Sequence, residues 1–213
     1  MAKTKQKTIL RISFNSPVVL SFTLICLAAY LLNCLTNGKS NLLLFEVYRS
    51  PLTNPLTYVR MFTHVFGHAS WSHLINNMTL LLVIGPLLEE KYGSADLLIV
   101  TVTTAFVTGI VHFIFFPGTA LLGASGVVFA YILLSSFACI KDGSIPLTFI
   151  LVAILYIGGQ IVDGVFIKDN VSNLTHIIGG IIGAFFGYLT SGNDHTTGHV
   201  TPNTYKNIEP VCI

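Results

Sequence analysis

The sequence predicts an all-α polytopic membrane protein in which six transmembrane helices form one bundle. Of the 213 residues, 53% are hydrophobic and only 9% are charged, whereas a soluble domain carries about 25% charged residues. The apolar residues are grouped into runs of roughly 20, the length of helix that crosses a hydrocarbon core of about 30 Å. We therefore expect one compact domain embedded in the lipid bilayer, with no separate soluble catalytic domain.

The predicted spans follow the apolar runs along the chain and cover residues 18–36, 73–90, 96–116, 125–140, 146–164 and 173–190. The chain divides into a basic N-terminus, a six-helix membrane domain and a polar, mobile tail, at residues 1–17, 18–190 and 191–213. A cleaved signal peptide is an alternative interpretation of the first span. It is disfavoured because no A-x-A-like cleavage site follows and the apolar run is long for a signal peptide.

An even number of spans places both termini on the same side of the membrane. That side carries seven lysine and arginine residues, against four on the other side. The positive-inside rule therefore predicts cytoplasmic termini, and we expect the bacterial plasma membrane as the location. The net charge of +2 is too small to indicate a nucleic-acid partner, and four scattered cysteines suggest neither a disulfide framework nor a metal site.

The connection between the first and second spans, about 36 residues long, falls on the outer side and is semi-apolar. It contains the segments "NLLLFEVY" and "YVRMFTHVFGHASW". Leucine mixed with aromatic residues, arginine and histidine is typical of short helices in the headgroup layer. We expect such helices here rather than a disordered loop.

The few polar side chains within the spans are functional candidates, because an unsatisfied polar group inside a bilayer is costly. His73 and Asn77 are four residues apart near the outer end of the second span, so they lie on one helix face. Ser125 opens the fourth span, and His176 lies about one turn into the sixth. The chain direction places all four at the same outer depth, where the short fourth span leaves room for a water-filled recess.

Glycines beside two of these residues predict close packing of the fourth and sixth spans. They are Gly123 and Gly126 around the serine, and Gly179 and Gly183 in a G-x-x-x-G pattern. With the two spans in contact, Ser125 and His176 would form a dyad in which the imidazole removes the hydroxyl proton and returns it to the leaving amine. The backbone N–H of Ser125 and the side chains of His73 and Asn77 would stabilise the oxyanion.

Each of these residues also has a plainer interpretation. Ser125 alone could be a small packing residue, and His73 with Asn77 could be an interhelical hydrogen-bonding pair. His176 alone could be a structural histidine. His112 lies near the outer end of the third span, so topology does not separate it from His176 as the base. Only the glycines near His176 favour that residue.

Three motifs occur in order along the chain: "HASWSHLINNM" from residue 68, "GASGVVFA" from residue 123 and "HIIGGIIG" from residue 176. They resemble the H-x-x-x-N motif of the second helix, the G-x-S-G-x-x-x-A nucleophile motif and the last-helix H-x-x-G-x-x-x-G motif of the rhomboid intramembrane serine proteases. The resemblance extends over about residues 55 to 190. It implies that Ser125 is the nucleophile and His176 the base.

Two further positions match the family and two depart from it. Arg60 stands where rhomboids have the arginine of a Trp-Arg loop motif, with Val59 in place of the tryptophan, and Glu89 matches an acidic residue near the inner end of the second helix. Thr175 stands where alanine is common, and Phe129 where some members have a tyrosine that stacks on the base. Neither departure removes the nucleophile or the base.

The resemblance implies cleavage of membrane-protein substrates in or near their transmembrane segments, with no organic cofactor and no metal. Two alternatives remain. One is a catalytically inactive rhomboid-like protein that binds membrane clients, and the other is a transporter with a histidine proton relay, which would need polar residues at several depths. Other intramembrane proteases are disfavoured, since the chain has no H-E-x-x-H motif and no pair of aspartates on different spans. The sequence carries no signal of oligomeric state.

Overall fold

The computed structural model describes residues 14–137 and 170–191, together with six separate helical residues at positions 147, 150, 151, 154, 155 and 158. Apart from those six, the predicted fifth span lies outside the described residues, as do residues 1–13 and 192–213 of the two predicted terminal segments. Within the described residues the secondary structure is helical, with one isolated antiparallel bridge between Val47 and Leu121. The predicted all-α class is confirmed.

The described helices are α1 (Pro17–Leu35), α2 (Pro55–Thr63), α3 (Trp71–Tyr92), α4 (Ser94–Phe115), α5 (Ser125–Phe137) and α6 (Asn170–Ser191). The first, second, third and sixth predicted spans correspond to α1, α3, α4 and α6, and the fourth begins at Ser125 as expected. Four of these helices, α1, α3, α4 and α6, are long and apolar enough to cross a membrane, whereas α5 is a shorter apolar helix. The chain is a multi-pass integral membrane protein, and large apolar side chains such as Leu24, Val83 and Phe115 are exposed on its outer faces.

The connection between α1 and α3, called the outer connection after its predicted side of the membrane, is folded, as predicted. It contains α2, a π-helical turn at Asn41–Phe45 and a 3-10 turn at His64–Phe66. The Arg60 guanidinium is buried at its centre, donating from Nη2 to the Ser50 hydroxyl at 2.8 Å and from Nη1 to the Tyr48 hydroxyl at 3.0 Å. It also lies 4.3 Å from the centroid of the Tyr48 ring. One buried cation with several partners therefore holds this connection in a single arrangement.

Glu89 joins the ends of three helices. Its carboxylate accepts hydrogen bonds from the backbone N–H groups of Val18 at 2.9 Å and Val19 at 3.1 Å, and from the Ser94 hydroxyl at 2.7 Å. The first N–H groups of a helix have no intrahelical acceptor and carry partial positive charge. The buried carboxylate of α3 therefore caps α1 and fixes the start of α4.

The central helix of the fold is α5, which packs against α3, α4 and, most extensively, α6. Gly179 lies directly against the backbone carbonyl of Gly126, and Gly183 against that of Ala130. A Cβ atom at either glycine would overlap that backbone. The predicted close packing of the fourth and sixth spans is confirmed, and it depends on these two glycines.

Candidate active site

Ser125 is the first residue of α5, and its position is set by the segment that precedes it. Gly123 has a φ of +128°, a conformation open to glycine but strained for other residues. Its N–H donates to the His64 carbonyl at 2.9 Å, and Leu121 exchanges two backbone hydrogen bonds of 2.9 Å with Val47. The outer connection therefore holds the backbone that leads into Ser125.

The backbone at the start of α5 provides donors beside the half-buried Ser125 side chain. The first intrahelical hydrogen bond of α5 runs from the Val128 N–H to the Ala124 carbonyl, at 3.0 Å. The N–H groups before Val128 precede that bond, so they are free of intrahelical acceptors. This arrangement can stabilise negative charge that develops next to the Ser125 hydroxyl.

His73 lies against the same backbone segment. A Cβ built on Gly123 would lie 2.7 Å from Cε1 and 2.8 Å from Nε2 of the His73 imidazole. Only a glycine at position 123 permits this contact, in addition to meeting the requirement for a positive φ. The structure thus brings His73, a predicted site residue, next to the segment that leads into Ser125, although the two residues are on different helices.

Asn77 lies one turn further along α3 and is buried. Its side-chain Nδ2 is 3.2 Å from Nε2 of His68, which is fully buried in the outer connection. The rings of His68 and His73 meet edge to face, with centroids 5.0 Å apart. His73 and Asn77 therefore do share one face, as predicted, and His68 lies beside both of them.

His176 packs on α5 through a ring stack. Its imidazole lies on the Phe129 ring, with centroids 4.2 Å apart and planes 3° from parallel. Ser125 and Phe129 are four residues apart, so they occupy the same face of α5. The stack therefore brings His176 to the helix face that carries Ser125.

Thr175, which with Phe129 departs from the family pattern, is buried, and its Cγ2 methyl would lie 3.3 Å from a Cβ on Gly126.

His112, the rival candidate for the base, is engaged elsewhere. It is buried, its Nε2 is 3.1 Å from the Thr119 carbonyl, and its ring stacks with Phe116 at a centroid distance of 5.6 Å. A carbonyl only accepts, so this nitrogen is the donor. His112 therefore fastens the end of α4 to the segment that follows it.

Two buried histidines near the site, His64 and His68, are not among the predicted site residues. His64 places Nε2 3.0 Å from the Ala105 carbonyl, and burial lowers its pKa to about 4. Burial, with the nearby His73 as a lesser cause, also lowers the pKa of His68 to about 4. The sequence signal for these two residues was their H-x-x-x-H spacing in a semi-apolar segment. Histidines in such a segment are expected to be buried, and buried imidazoles need hydrogen-bond partners.

The described part of the chain contains no group of three or more His, Cys, Asp or Glu side chains placed to hold a metal ion. The site has a hydroxyl and backbone N–H groups at the start of α5, the His176 imidazole on the same helix face, the His73 imidazole against Gly123, and the Asn77 carboxamide one turn along α3 from His73. This set can transfer a proton and stabilise an oxyanion, which are the requirements of acyl transfer by a serine nucleophile.

Comparisons with known proteins identify one family and several relatives of this chain. A family model described as "Rhomboid domain" matches residues 55–193. The chain is 26% identical to the rhomboid protease GlpG of Yersinia pseudotuberculosis over 185 residues, which are 85% of this chain and 65% of that protein. GlpG of Yersinia pestis gives the same identity and coverage. The GlpG of Haemophilus influenzae is 28% identical over 138 residues, or 62% of this chain and 69% of that protein. The chain thus spans slightly less than two thirds of the Yersinia relatives.

Proposed function

The chain belongs to the rhomboid family, and on that premise we propose that it is an intramembrane serine endopeptidase. It hydrolyses peptide bonds of membrane-protein substrates in or near their transmembrane segments. The observation that carries the proposal is the stack of His176 on Phe129, one turn from Ser125 on the same face of α5. A hydroxyl and an imidazole on two tightly packed helices are the minimum for a serine nucleophile with its own base.

In the first step, Ser125 Oγ attacks the scissile carbonyl while His176 takes the hydroxyl proton as general base. His176 then gives that proton to the leaving amine, and an acyl-enzyme remains on Ser125. A water molecule, deprotonated by the same imidazole, hydrolyses the acyl-enzyme and regenerates the hydroxyl. Phe129 supports this cycle because its flat ring restricts the rotation of the imidazole.

The oxyanion that forms at the scissile carbonyl is stabilised by the Ser125 backbone N–H and by the side chains of His73 and Asn77. The contact between His73 and Gly123 supports this role, since it places the imidazole beside the segment leading into Ser125. Each such donor contributes on the order of 100- to 1,000-fold in turnover where it has been removed from other serine proteases.

The site opens toward the outer side of a bacterial plasma membrane, with the N-terminal residues 1–17 and the tail 191–213 on the cytoplasmic side. The excess of basic residues on the side of the termini supports this orientation. The proposed substrates are transmembrane proteins of the same membrane.

The proposal is tested by reconstituting the purified protein in liposomes with a single-span model substrate. We expect wild type to cleave, and Ser125→Ala and His176→Ala to lose cleavage. Ser136→Ala is the matched control, because this serine of the same helix donates to the Ile132 carbonyl at 3.1 Å. A fluorophosphonate should label wild type and Ser136→Ala but not Ser125→Ala. Cleavage by Ser125→Ala at the wild-type rate would contradict the proposal, and binding of substrate without cleavage by wild type would favour a client-binding protein.

A further inference from the structure

The structure assigns a positioning role to His68: its imidazole accepts a hydrogen bond from Asn77 and thereby fixes which side of the Asn77 carboxamide carries the NH2 group. This inference rests on the proposed function, because it explains how one proposed oxyanion donor is oriented. His68 contacts no reacting atom and acts on the oxyanion through Asn77.

The first step of the argument is the tautomer of His68. Its Nδ1 is 3.2 Å from the backbone carbonyl of Phe66. A carbonyl oxygen can only accept, so Nδ1 carries the hydrogen. In a neutral imidazole with Nδ1 protonated, Nε2 has a free lone pair. Burial favours the neutral form, consistent with a His68 pKa near 4.

The second step is the orientation of Asn77. Its side chain is 3.2 Å from the Nε2 lone pair of His68. With Oδ1 on that side, two acceptors would face each other in a buried place, at the cost of an unpaired polar group. The amide therefore turns Nδ2 toward His68 and donates one of its two N–H groups to Nε2. Its second N–H remains for a substrate oxyanion.

The third step is the rigidity of His68 itself. Its side chain is fully buried, and its backbone carbonyl accepts a hydrogen bond from the buried Asn41 side chain at 3.2 Å. The Asn41 backbone N–H in turn donates to Asn33 Oδ1 at 3.2 Å. The His68 ring is thus held at Nδ1 by the Phe66 carbonyl, and the His68 backbone is held by Asn41. A ring fixed in this way can define the orientation of Asn77, whereas a mobile ring could not.

The kinetic test in liposomes compares first wild type with His68→Phe, and then His68→Gln with His68→Asn. His68→Phe keeps a ring but removes the acceptor, and we expect kcat to fall about tenfold or more with KM within twofold of wild type, because the donor acts in the transition state. His68→Gln places a carbonyl oxygen near the position of Nε2 and should recover most of that loss. His68→Asn, which is too short to reach Asn77, should not recover it. This second pair keeps the test valid if the phenylalanine variant fails to fold.

A double-mutant cycle separates positioning from a general structural effect. In an Asn77→Ala background, His68→Phe should lower kcat no further, since there is no amide left to orient. An equal loss of kcat in both backgrounds would overturn the inference, and so would a wild-type kcat in His68→Phe.

A spectroscopic readout does not depend on activity. In Ser125→Ala protein labelled with 15N-histidine, we expect His68 to show the neutral tautomer with the proton on Nδ1, and Asn77→Ala to shift the Nε2 resonance. A proton on Nε2 would overturn the inference whatever the enzyme does. Conversely, failure of wild type to cleave while His68 shows the expected tautomer would contradict the proposed function and leave the geometry of the His68 and Asn77 pair intact.

Discussion

The imidazole of His176 lies flat on the ring of Phe129, with centroids 4.2 Å apart and planes within 3° of parallel. This contact joins α6 to the face of α5 that begins with Ser125. It distinguishes His176 from His112, whose Nε2 is committed to the Thr119 carbonyl.

Removing the ring under His176 should lower turnover while the protein still folds. We expect Phe129→Ala to reduce kcat roughly 3- to 10-fold, since an aromatic pair contributes about 0.5–1.5 kcal/mol beyond its buried area. Phe129→Tyr keeps the flat ring and should remain close to wild type. Phe115→Leu, at an exposed position of α4, is the control for removal of an aromatic residue. The measurement is cleavage of the model substrate in liposomes, and an unchanged kcat in Phe129→Ala would show that the stack does not orient the base.

The contact of α6 with α5 should be sensitive to one added methyl group. A Cβ at Gly183 would overlap the Ala130 carbonyl, so Gly183→Ala must push the helices apart and should destabilise the protein by about 1–3 kcal/mol or more. It should also abolish most cleavage by separating His176 from Ser125. Gly180→Ala is the matched control, because a Cβ there meets Leu133 at an ordinary 3.5 Å. Thermal unfolding in detergent and cleavage are the two measurements, and similar behaviour of the two variants would be inconsistent with the packing described.

The cap that Glu89 provides for α1 should contribute to stability more than to chemistry. Glu89→Gln keeps one side-chain oxygen as an acceptor but loses the negative charge that accepts hydrogen bonds from Val18, Val19 and Ser94. We expect a loss of about 1.5–3 kcal/mol in the free energy of unfolding, which is the range for hydrogen bonds to a charged group. Glu90→Gln, on the exposed side of the same turn, should have little effect. Equal unfolding midpoints for the two variants would argue against the cap.

Acid should destabilise the folded protein through His64. Burial lowers its pKa from 6.5 to about 4, with the charge of His112 as a lesser cause, and its Nε2 lies 3.0 Å from the Ala105 carbonyl and 3.4 Å from the Thr108 hydroxyl. Between these two pH values the unfolded chain binds more protons than the folded one, so stability falls as the pH drops from about 6.5 toward 4. The difference between the unfolded and folded pKa values corresponds to a loss of about 3 kcal/mol in the free energy of unfolding. The loss is complete only near the folded pKa.

The measurement is thermal unfolding in detergent at pH 7.5, 6.0 and 5.0. His64→Gln can still donate to the Ala105 carbonyl but does not titrate, so its unfolding temperature should depend less on pH than that of wild type. Identical pH profiles for the two proteins would mean that His64 is not held neutral by burial.

The sequence by itself determined the features that depend on local pattern. Apolar runs predicted the spans that became α1, α3, α4 and α6, and Ser125 was correctly expected at the start of a helix. The four-residue spacing of His73 and Asn77 places them on one face because an α-helix has 3.6 residues per turn.

Only the tertiary structure decided which polar groups meet. His112 and His176 have the same predicted depth, and the difference between a ring on Phe129 and a ring bonded to Thr119 arises from contacts between distant segments. The partnership of His68 with Asn77 likewise requires the outer connection to fold against α3. Sequence periodicity records the face of a helix on which a residue lies. It does not record which other helix covers that face, because that choice is made by packing between residues far apart in the chain.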